Sequence, residues 1–384
     1  MKRVLITGAA GFVGSHLCEH ILKNTDWDIT CLDRFDASGN PNRLSEMLET
    51  TDGIDRTRIR FIYWDLRAEL NEQVKSQLKG PFDLILHLAA GSHVDRSIDE
   101  PLLFFQDNCL GTVNLLNYAK DGGLVREDNY SDDPLFVTPI AGKFLYFSTD
   151  EVYGPAPEFI HFSKGNSEKM EIEVETVPFM GFKEWDRLNP NNPYAAAKAA
   201  AEMAVIAYAN TYQIPCVITN TMNIFGERQN PEKFIPLVIK RSITGEKLFI
   251  HANKDKTQAG KRHYLHARNI CAATVWVAEN GKLLNGSAVQ GRYNIVGDAE
   301  VDNLTLAKLI HSMVADYYKE HNLGEIPSLD AEMVDFHSSR PGHDLRYALM
   351  GDLIKSEGFE YPVEFEPSLR KNVYWTLDHA DKWL

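Results

Sequence analysis

The 384-residue sequence predicts an α/β fold: a doubly wound parallel sheet with helices on both faces, and a smaller discontinuous α/β lobe over the carboxyl ends of its strands. Three observations carry that expectation. Short β-branched or apolar runs alternate with helix-length stretches as far as residue 296, the rhythm of β-α-β units. Several of these runs are apolar throughout, as strands buried on both faces are. After Met222 the rhythm loosens into stretches bearing Pro, Gly and charge, which sets a second unit apart from the first.

In chain order, strands are expected at residues 4–7, 29–33, 60–64, 84–89, 144–148, 216–221 and 293–296, with crossover helices at 14–23, 101–120, 193–212 and 267–279. Residues 121–142 and 155–188 are polar and uneven in period, and read as excursions over the surface or over a site. A sheet-like piece near 247–251 and a helical one at 304–318 belong to the second unit. The expected division is 1–222 with 263–298 for the large sheet, and 223–262 with 299–384 for the lobe. Neither internal repeats nor low-complexity segments interrupt it.

Composition narrows the function classes. An apolar fraction of 44% supports one large or two moderate cores. Forty basic against 54 acidic side chains, a net charge of −14, argue against a nucleic acid or an anionic membrane as the main partner. An anionic ligand must then meet local positive groups. Cys18, Cys31, Cys109, Cys216 and Cys271 are scattered and odd in number, so neither a disulfide framework nor a zinc ribbon is expected, and a reducing cytoplasm is the default location. Met1-Lys2-Arg3 before an apolar run imitates a signal peptide, but Gly8, Gly11 and Gly14 break the run and His16, Glu19 and His20 follow. No stretch reaches the roughly 18 uninterrupted apolar residues of a membrane span.

Gly8-Ala9-Ala10-Gly11-Phe12-Val13-Gly14 follows the first strand and opens the first helix. Glycines there allow a tight turn and let backbone N–H groups approach a pyrophosphate, which points to a dinucleotide on a Rossmann-type sheet. Alone the pattern is weak, because ordinary glycine-rich turns share it. Asp33 strengthens it by ending the second strand, where an acid bonds the adenosine ribose hydroxyls and repels a phosphate. NAD is therefore favoured over NADP, with the adjacent Arg34 as a partial offset to that repulsion. Asp65 and Leu66 end the third strand beside the expected adenine, and Leu88, Ala89 and Ala90 end the fourth with small residues where the cofactor must pass.

Tyr194 and Lys198 lie four apart on an expected helix and share a face, where the ammonium would favour the phenolate and lower the tyrosine's pKa. An isolated pair of this kind on an Ala-rich helix is ordinarily just an exposed i,i+4 contact. Here it follows a dinucleotide-binding half and the run Ser148-Thr149-Asp150-Glu151-Val152-Tyr153-Gly154 at a strand's carboxyl end, where ligands of such sheets bind.

On these residues the chain resembles the extended short-chain dehydrogenases/reductases, and among them the dTDP-glucose 4,6-dehydratases, over nearly its whole length. The glycine pattern with Tyr194 and Lys198 carries the superfamily. Thr149-Asp150-Glu151, His93-Val94-Asp95-Arg96-Ser97 and Arg340-Pro341-Gly342-His343-Asp344-Leu345-Arg346-Tyr347 carry the branch. The resemblance implies a lyase that converts a nucleoside diphosphate glucose, dTDP-glucose first and UDP-glucose next, to its 4-keto-6-deoxy sugar. Tyr194, helped by Lys198 and Thr149, would take the C4 hydroxyl proton while hydride passes to NAD. Glu151 would then remove the C5 proton, Asp150 would protonate the leaving C6 hydroxyl, and the hydride would return to C6. Adjacent residues of a strand point opposite ways, so Asp150 and Glu151 share that task only if the backbone turns there.

By the same resemblance Ser92, Thr149, Asn223, Lys233, Arg262, Asn303, Arg340 and His343 would meet the sugar, phosphates or nucleoside, and two copies would pair through helices 101–120 and 193–212 as a homodimer. The chain departs from the family in three places. Gly91 stands where relatives usually carry glutamate, Met350 replaces an acid after Arg346-Tyr347-Ala348, and the segment from Gly154 to Tyr194 is longer than typical. No metal is expected, because His263 and His266 lack further ligands. Rival readings are a nucleotide-sugar epimerase or decarboxylase on the same scaffold, and a catalytically silent dinucleotide-sensing protein, which would need none of the acids.

Overall fold

The computed structural model describes residues 1–384 apart from 37, 128–137, 167–170, 285–289 and 336–344, and describes the backbone alone at 161–166 and 171–175. Among the described residues, seven strands form one parallel sheet: β1 (Arg3–Thr7), β2 (Asp28–Asp33), β3 (Ile59–Tyr63), β4 (Leu84–His87), β5 (Lys143–Thr149), β6 (Cys216–Thr221) and β7 (Arg292–Ile295). Each expected strand is present, with ends shifted by two residues at most. Their order is β3-β2-β1-β4-β5-β6-β7. It reverses between β1 and β4, where Thr7 lies in register with Leu32 on one side and His87 on the other. The connections leaving those two strands diverge, and a crevice opens outside their carboxyl ends.

Alternation along the buried strands builds a core on each face. Val4 and Ile6 of β1, with Leu86, Leu145 and Val217, pack under Leu17 and Ile21 of α1 (Phe12–Asn24) and Ile270 and Val277 of the helix Ala267–Asn280. Leu5, Ile85, Phe144 and Ile218 turn to the other face, against Leu115 and Leu116 and against Ala201 and Val205 of α2 (Pro193–Tyr212). Truncating one of these side chains to alanine costs about 2–5 kcal/mol. A continuous apolar strand therefore needs helices on both sides, as its sequence predicts. The expected helix 101–120 runs as Pro101–Phe105, Gln106–Leu110 and Gly111–Tyr118, the middle piece being a wide π turn. That turn carries Asp107 and Asn108 toward the crevice.

A third core fills the lobe, where Val238 and Ile239, Leu306 and Ile310, and Leu369 and Val373 come from three separate helices and cover Leu248 and Ile250. Strand Leu248–Ala252 pairs in parallel with Ala331–Asp335, and Lys261–His266 pairs with both Asn223–Phe225 and Glu300–Asp302. The division expected between residues 262 and 263 falls inside the strand Lys261–His266.

The segment 155–188 is not wholly irregular. Phe159–Asn166 and Glu171–Pro178 form an antiparallel hairpin with Phe159 opposite Pro178. Its second strand, Glu171-Ile172-Glu173-Val174-Glu175, alternates with period two. The uneven flanks hid that short signal. Within 121–142, Arg126 bridges Ile140, and residues 128–137 lie outside the described ones. Among the described residues no helix is long and apolar enough to cross a membrane.

Candidate active site

The floor of the crevice is built by close backbone approach. Gly8 has φ +73°, and a Cβ there would lie 2.6 Å from the Ala89 nitrogen; one on Gly14 would lie 2.1 Å from the Gly8 carbonyl oxygen. A side chain on Gly8 would force the turn off the loop after β4, and one on Gly14 would force the first helix off the turn. Beneath them the Ala89 N–H donates to Thr7 Oγ1 (3.3 Å), and the His87 ring bridges Thr7 Oγ1 (2.6 Å) and Thr112 Oγ1 (2.9 Å). Burial, with the Lys198 charge, lowers His87 to about 3, so it serves here as a neutral strut.

At one end of the crevice the Asp33 carboxylate accepts from the Ala10 N–H through Oδ2 and from the Phe35 N–H through Oδ1, both at 2.9 Å. Burial raises its pKa and those two N–H groups pull it back. Arg34 does not extend freely beside it. Its guanidinium forks onto Asp107 at 2.6 and 2.9 Å, and its Nε donates to Asp36 at 2.6 Å. Arg67 pairs with Asp65.

At the other end β5 stops at Thr149 and the chain turns through one 3₁₀ turn, Asp150–Tyr153. Thr149 Oγ1 caps that turn, accepting from the Glu151 N–H (3.3 Å) and donating to Asp150 Oδ1 (2.9 Å). This meets the condition that Asp150 and Glu151 not continue the strand. Helix α2 starts from Asn192, whose side chain accepts from the Ala195 N–H and donates to Glu151 Oε2, each at 2.8 Å, with Pro193 in the first turn. One residue thus fixes the helix start and the orientation of Glu151. Tyr194 and Lys198 follow on it, both buried. Lys198 Nζ donates to the Phe147 carbonyl at 2.6 Å and lies 4.2 Å from the Tyr146 ring centre.

Burial governs all three titratable groups here. Lys198 falls to about 7 through loss of hydration, opposed by the Glu202 carboxylate one turn further along α2. Asp150 rises to about 7, by burial first and then by the charge of Glu151, and its Oδ2 is buried with no hydrogen-bond partner. The Tyr194 phenol is raised by burial and then by Glu151, with the Thr149 hydroxyl opposing. The expectation that Lys198 lowers Tyr194 is not met, because burial and two neighbouring acids dominate while the ammonium is drawn to the Phe147 carbonyl.

The crevice has a volume of about 420 Å³, in the roughly 300–1,000 Å³ range of small-molecule sites. Gly8, Gly11, Phe12, Val13, Gly14, Asp33, Arg34, Asp65, Leu66, Leu88, Ala89 and Ala90 line it continuously with Tyr194 and Lys198, so the structure brings together the whole expected cofactor set. Ser92, Thr149, Asn223 and Lys233 line it too. Arg262 and Asn303 do not. Arg262 donates to the Lys261 and Leu345 carbonyls (2.7 and 2.8 Å) and acts through its charge on Asp150, and Asn303 accepts from the hydroxyl of Tyr264, itself a lining residue, at 2.8 Å. Asp150 and Glu151 stand just behind the Thr149 wall, and Arg340 and His343 lie outside the described residues.

Arg43, Arg67, Asp107, Gln229 and Tyr264 line the crevice without having been expected. Arg67, two residues after Asp65, was within reach of the sequence pattern. Asp107 was not, since only the π turn carries it there. His263 and His266, three apart on one strand, point to opposite faces, toward the Gly297 carbonyl and Glu227 respectively. Among the described residues no group of three or more His, Cys, Asp or Glu is placed to hold a metal.

Residues 4–295 match the NAD dependent epimerase/dehydratase family. The chain is 34% identical to the dTDP-glucose 4,6-dehydratase of Neisseria gonorrhoeae over 99% of its length and 97% of that protein, and 32% identical to one from Escherichia coli over 99% and 95%. Among solved structures, DesIV, a dTDP-glucose 4,6-dehydratase from Streptomyces venezuelae crystallised with NAD bound, superposes with a TM-score of 0.74 at 28% identity, covering 99% of this chain and 98% of that one. Fold, crevice and these likenesses agree: the chain belongs to the NAD dependent epimerase/dehydratase family, in its dTDP-glucose 4,6-dehydratase branch.

Proposed function

We propose that this chain removes water from a nucleoside diphosphate glucose, dTDP-glucose in the first instance, and releases the 4-keto-6-deoxy sugar with NAD as a recycled cofactor. The observation that carries this reading is the placement of Asp150 and Glu151 on one turn beside Tyr194. Oxidation at C4 needs only the tyrosine and lysine; expelling the C6 hydroxyl needs an acid and a second base as well. The activities of the dehydratases from Neisseria gonorrhoeae and Escherichia coli support the same reaction.

The crevice fits NAD: the glycine turn is open to a pyrophosphate, and Asp33 offers carboxylate oxygens at the end of β2 for ribose hydroxyls. Bound NAD supplies the hydride acceptor for C4 and, once reduced, the donor for C6. Tyr194 Oη takes the C4 hydroxyl proton. Because burial holds that phenol protonated, it must first release its own proton, which the Thr149 hydroxyl favours and which the Lys198 ammonium would favour only on leaving the Phe147 carbonyl. Glu151, held by Asn192 and 3.5 Å from the Tyr347 hydroxyl, takes the C5 proton and gives a proton back to C5 when the hydride reaches C6. Asp150, raised to about 7, retains a proton near neutrality and passes it to the departing C6 oxygen, which leaves as water.

Ser92, Asn223 and Lys233 contact the sugar and diphosphate from the crevice, and Arg262 and Asn303 support that wall through Asp150 and Tyr264. Residues 1–222 and 263–298 hold NAD, and 223–262 with 299–384 hold the nucleotide sugar. Leu102, Phe105 and Leu110 on one helix and Met203 and Tyr212 on α2 are exposed, as a homodimer pairing those helices requires. Its five unpaired cysteines suit the cytoplasm.

The test is incubation of the purified protein and NAD with dTDP-glucose or UDP-glucose, with product identification by NMR. A C6 methyl signal from either nucleotide establishes the dehydratase and its base preference. A C4 epimer or a pentose that keeps its ring hydroxyls, or unchanged sugar from protein that binds NAD, would assign another activity.

A further inference from the structure

We propose that Asp107 is a specificity-determining residue for the dinucleotide, because by clamping Arg34 it withholds the cation beside Asp33 from a ribose 2′-phosphate. The inference rests on the NAD reading above. An arginine directly after the ribose-binding acid is a ready partner for a phosphate. Here both ends of its guanidinium are committed: NH1 and NH2 fork onto the two Asp107 oxygens and Nε donates to Asp36. Paired hydrogen bonds of this geometry are the strong ones. The Asp107 side chain is only 6% exposed against 27% for Arg34, so the acid is the fixed partner and the arginine is drawn in to it.

The other cations at this end are committed as well. Arg67 pairs with Asp65 and lies 3.8 Å from Asp107, and Arg43 donates to the Arg228 and Ser38 carbonyls, each at 2.9 Å. The carboxylates of Asp33, Asp36, Asp65 and Asp107 outnumber the guanidiniums of Arg34, Arg43 and Arg67 along this wall. A 2′-phosphate would add negative charge where the balance is already negative.

The π turn and Gly91 explain how Asp107 comes to be there. Asn108 holds Gly91 by both backbone groups, accepting from its N–H at 2.7 Å and donating to its carbonyl at 3.1 Å. A Cβ on Gly91 would sit 3.2 Å from Phe104 and 3.3 Å from Asp107 Oδ2. Gly91 carries no side chain, and Phe104 and the Asp107 carboxylate from the neighbouring helix fill the space one would need.

The experiment is calorimetric titration of NAD and NADP into the purified protein and its variants. Wild type should prefer NAD. Asp107→Asn should lower the NADP-to-NAD ratio of dissociation constants by about tenfold, the worth of one charge-assisted hydrogen bond. Asp36→Asn should move it less in the same direction, and adding Arg34→Ala to Asp107→Asn should restore the wild-type ratio. An unchanged ratio in Asp107→Asn, a fall that persists without Arg34, or loss of NAD binding in Asp107→Asn with Asp36→Asn unchanged would overturn the proposal. Failure of the wild type to bind either dinucleotide would instead overturn the cofactor reading itself.

Discussion

The two ends of the crevice handle charge in opposite ways. At the Asp33 end the arginines are paired with acids: Arg34 with Asp107 and Asp36, Arg67 with Asp65. Their charges are settled, and Arg34 and Arg67 are driven further from neutrality. At the Tyr194 end Lys198 and Asp150 are buried and bonded to the Phe147 carbonyl and the Thr149 hydroxyl, so desolvation moves them toward neutrality from opposite sides. Pairing gives a surface that selects a ligand by fixed charge, whereas burial gives groups that can exchange a proton near pH 7. The same sheet edge supports both because its loops differ: short glycine turns at one end, and a strand end running into a 3₁₀ turn against a capped helix at the other.

Four measurements would break or sharpen that contrast. The largest effect belongs to Tyr194→Phe, which keeps the ring in its packing and removes the proton acceptor. Turnover should fall by about 10²–10⁴-fold with NAD affinity retained; turnover near wild type would remove the chemistry from this end. Asp150→Asn should slow product formation at least about a hundredfold while the first half-reaction survives, visible as a build-up of reduced cofactor at 340 nm. If oxidation and dehydration fall together, Asp150 is not the separate acid.

Gly8→Ala probes the binding end, since its Cβ meets the Ala89 nitrogen at positive φ. It should cost about 1–3 kcal/mol of thermal stability and weaken NAD binding, and a neutral outcome in both assays would mean that the turn relaxes freely. The smallest effect is that of pH. Asp150 is raised to about 7 and Lys198 lowered to about 7, so below that value the first is a neutral acid and the second an ammonium, and above it each loses its proton. Loss of the Asp150 proton removes the acid for the departing C6 oxygen, so kcat/KM should fall as pH rises through about 7. Asp150→Asn should make the alkaline limb shallower, and a profile still rising at pH 8 would contradict the assignment.

The fold was legible because its signals are short in range. Continuous apolar runs, the spacing of Gly8, Gly11 and Gly14, and the acid at the end of β2 report local periodicity and sterics, and the structure places each as expected. The hairpin in 155–188 was missed because one short alternating strand sits among irregular flanks. Arg262 and Asn303 do not line the crevice but neighbour Asp150 and Tyr264, a placement that residue type alone cannot express.

By itself, then, the sequence determined the order of elements and the glycine turn, and it singled out Tyr194, Lys198, Asp150 and Glu151, which the fold brings to one end of the crevice. Only the tertiary structure decided the protonation of Tyr194, Lys198 and Asp150, since burial comes from packing and overrode the help that an i,i+4 lysine was expected to lend Tyr194. It also decided the partner of Arg34, which lies 73 residues away on a π turn, beyond the reach of any local pattern.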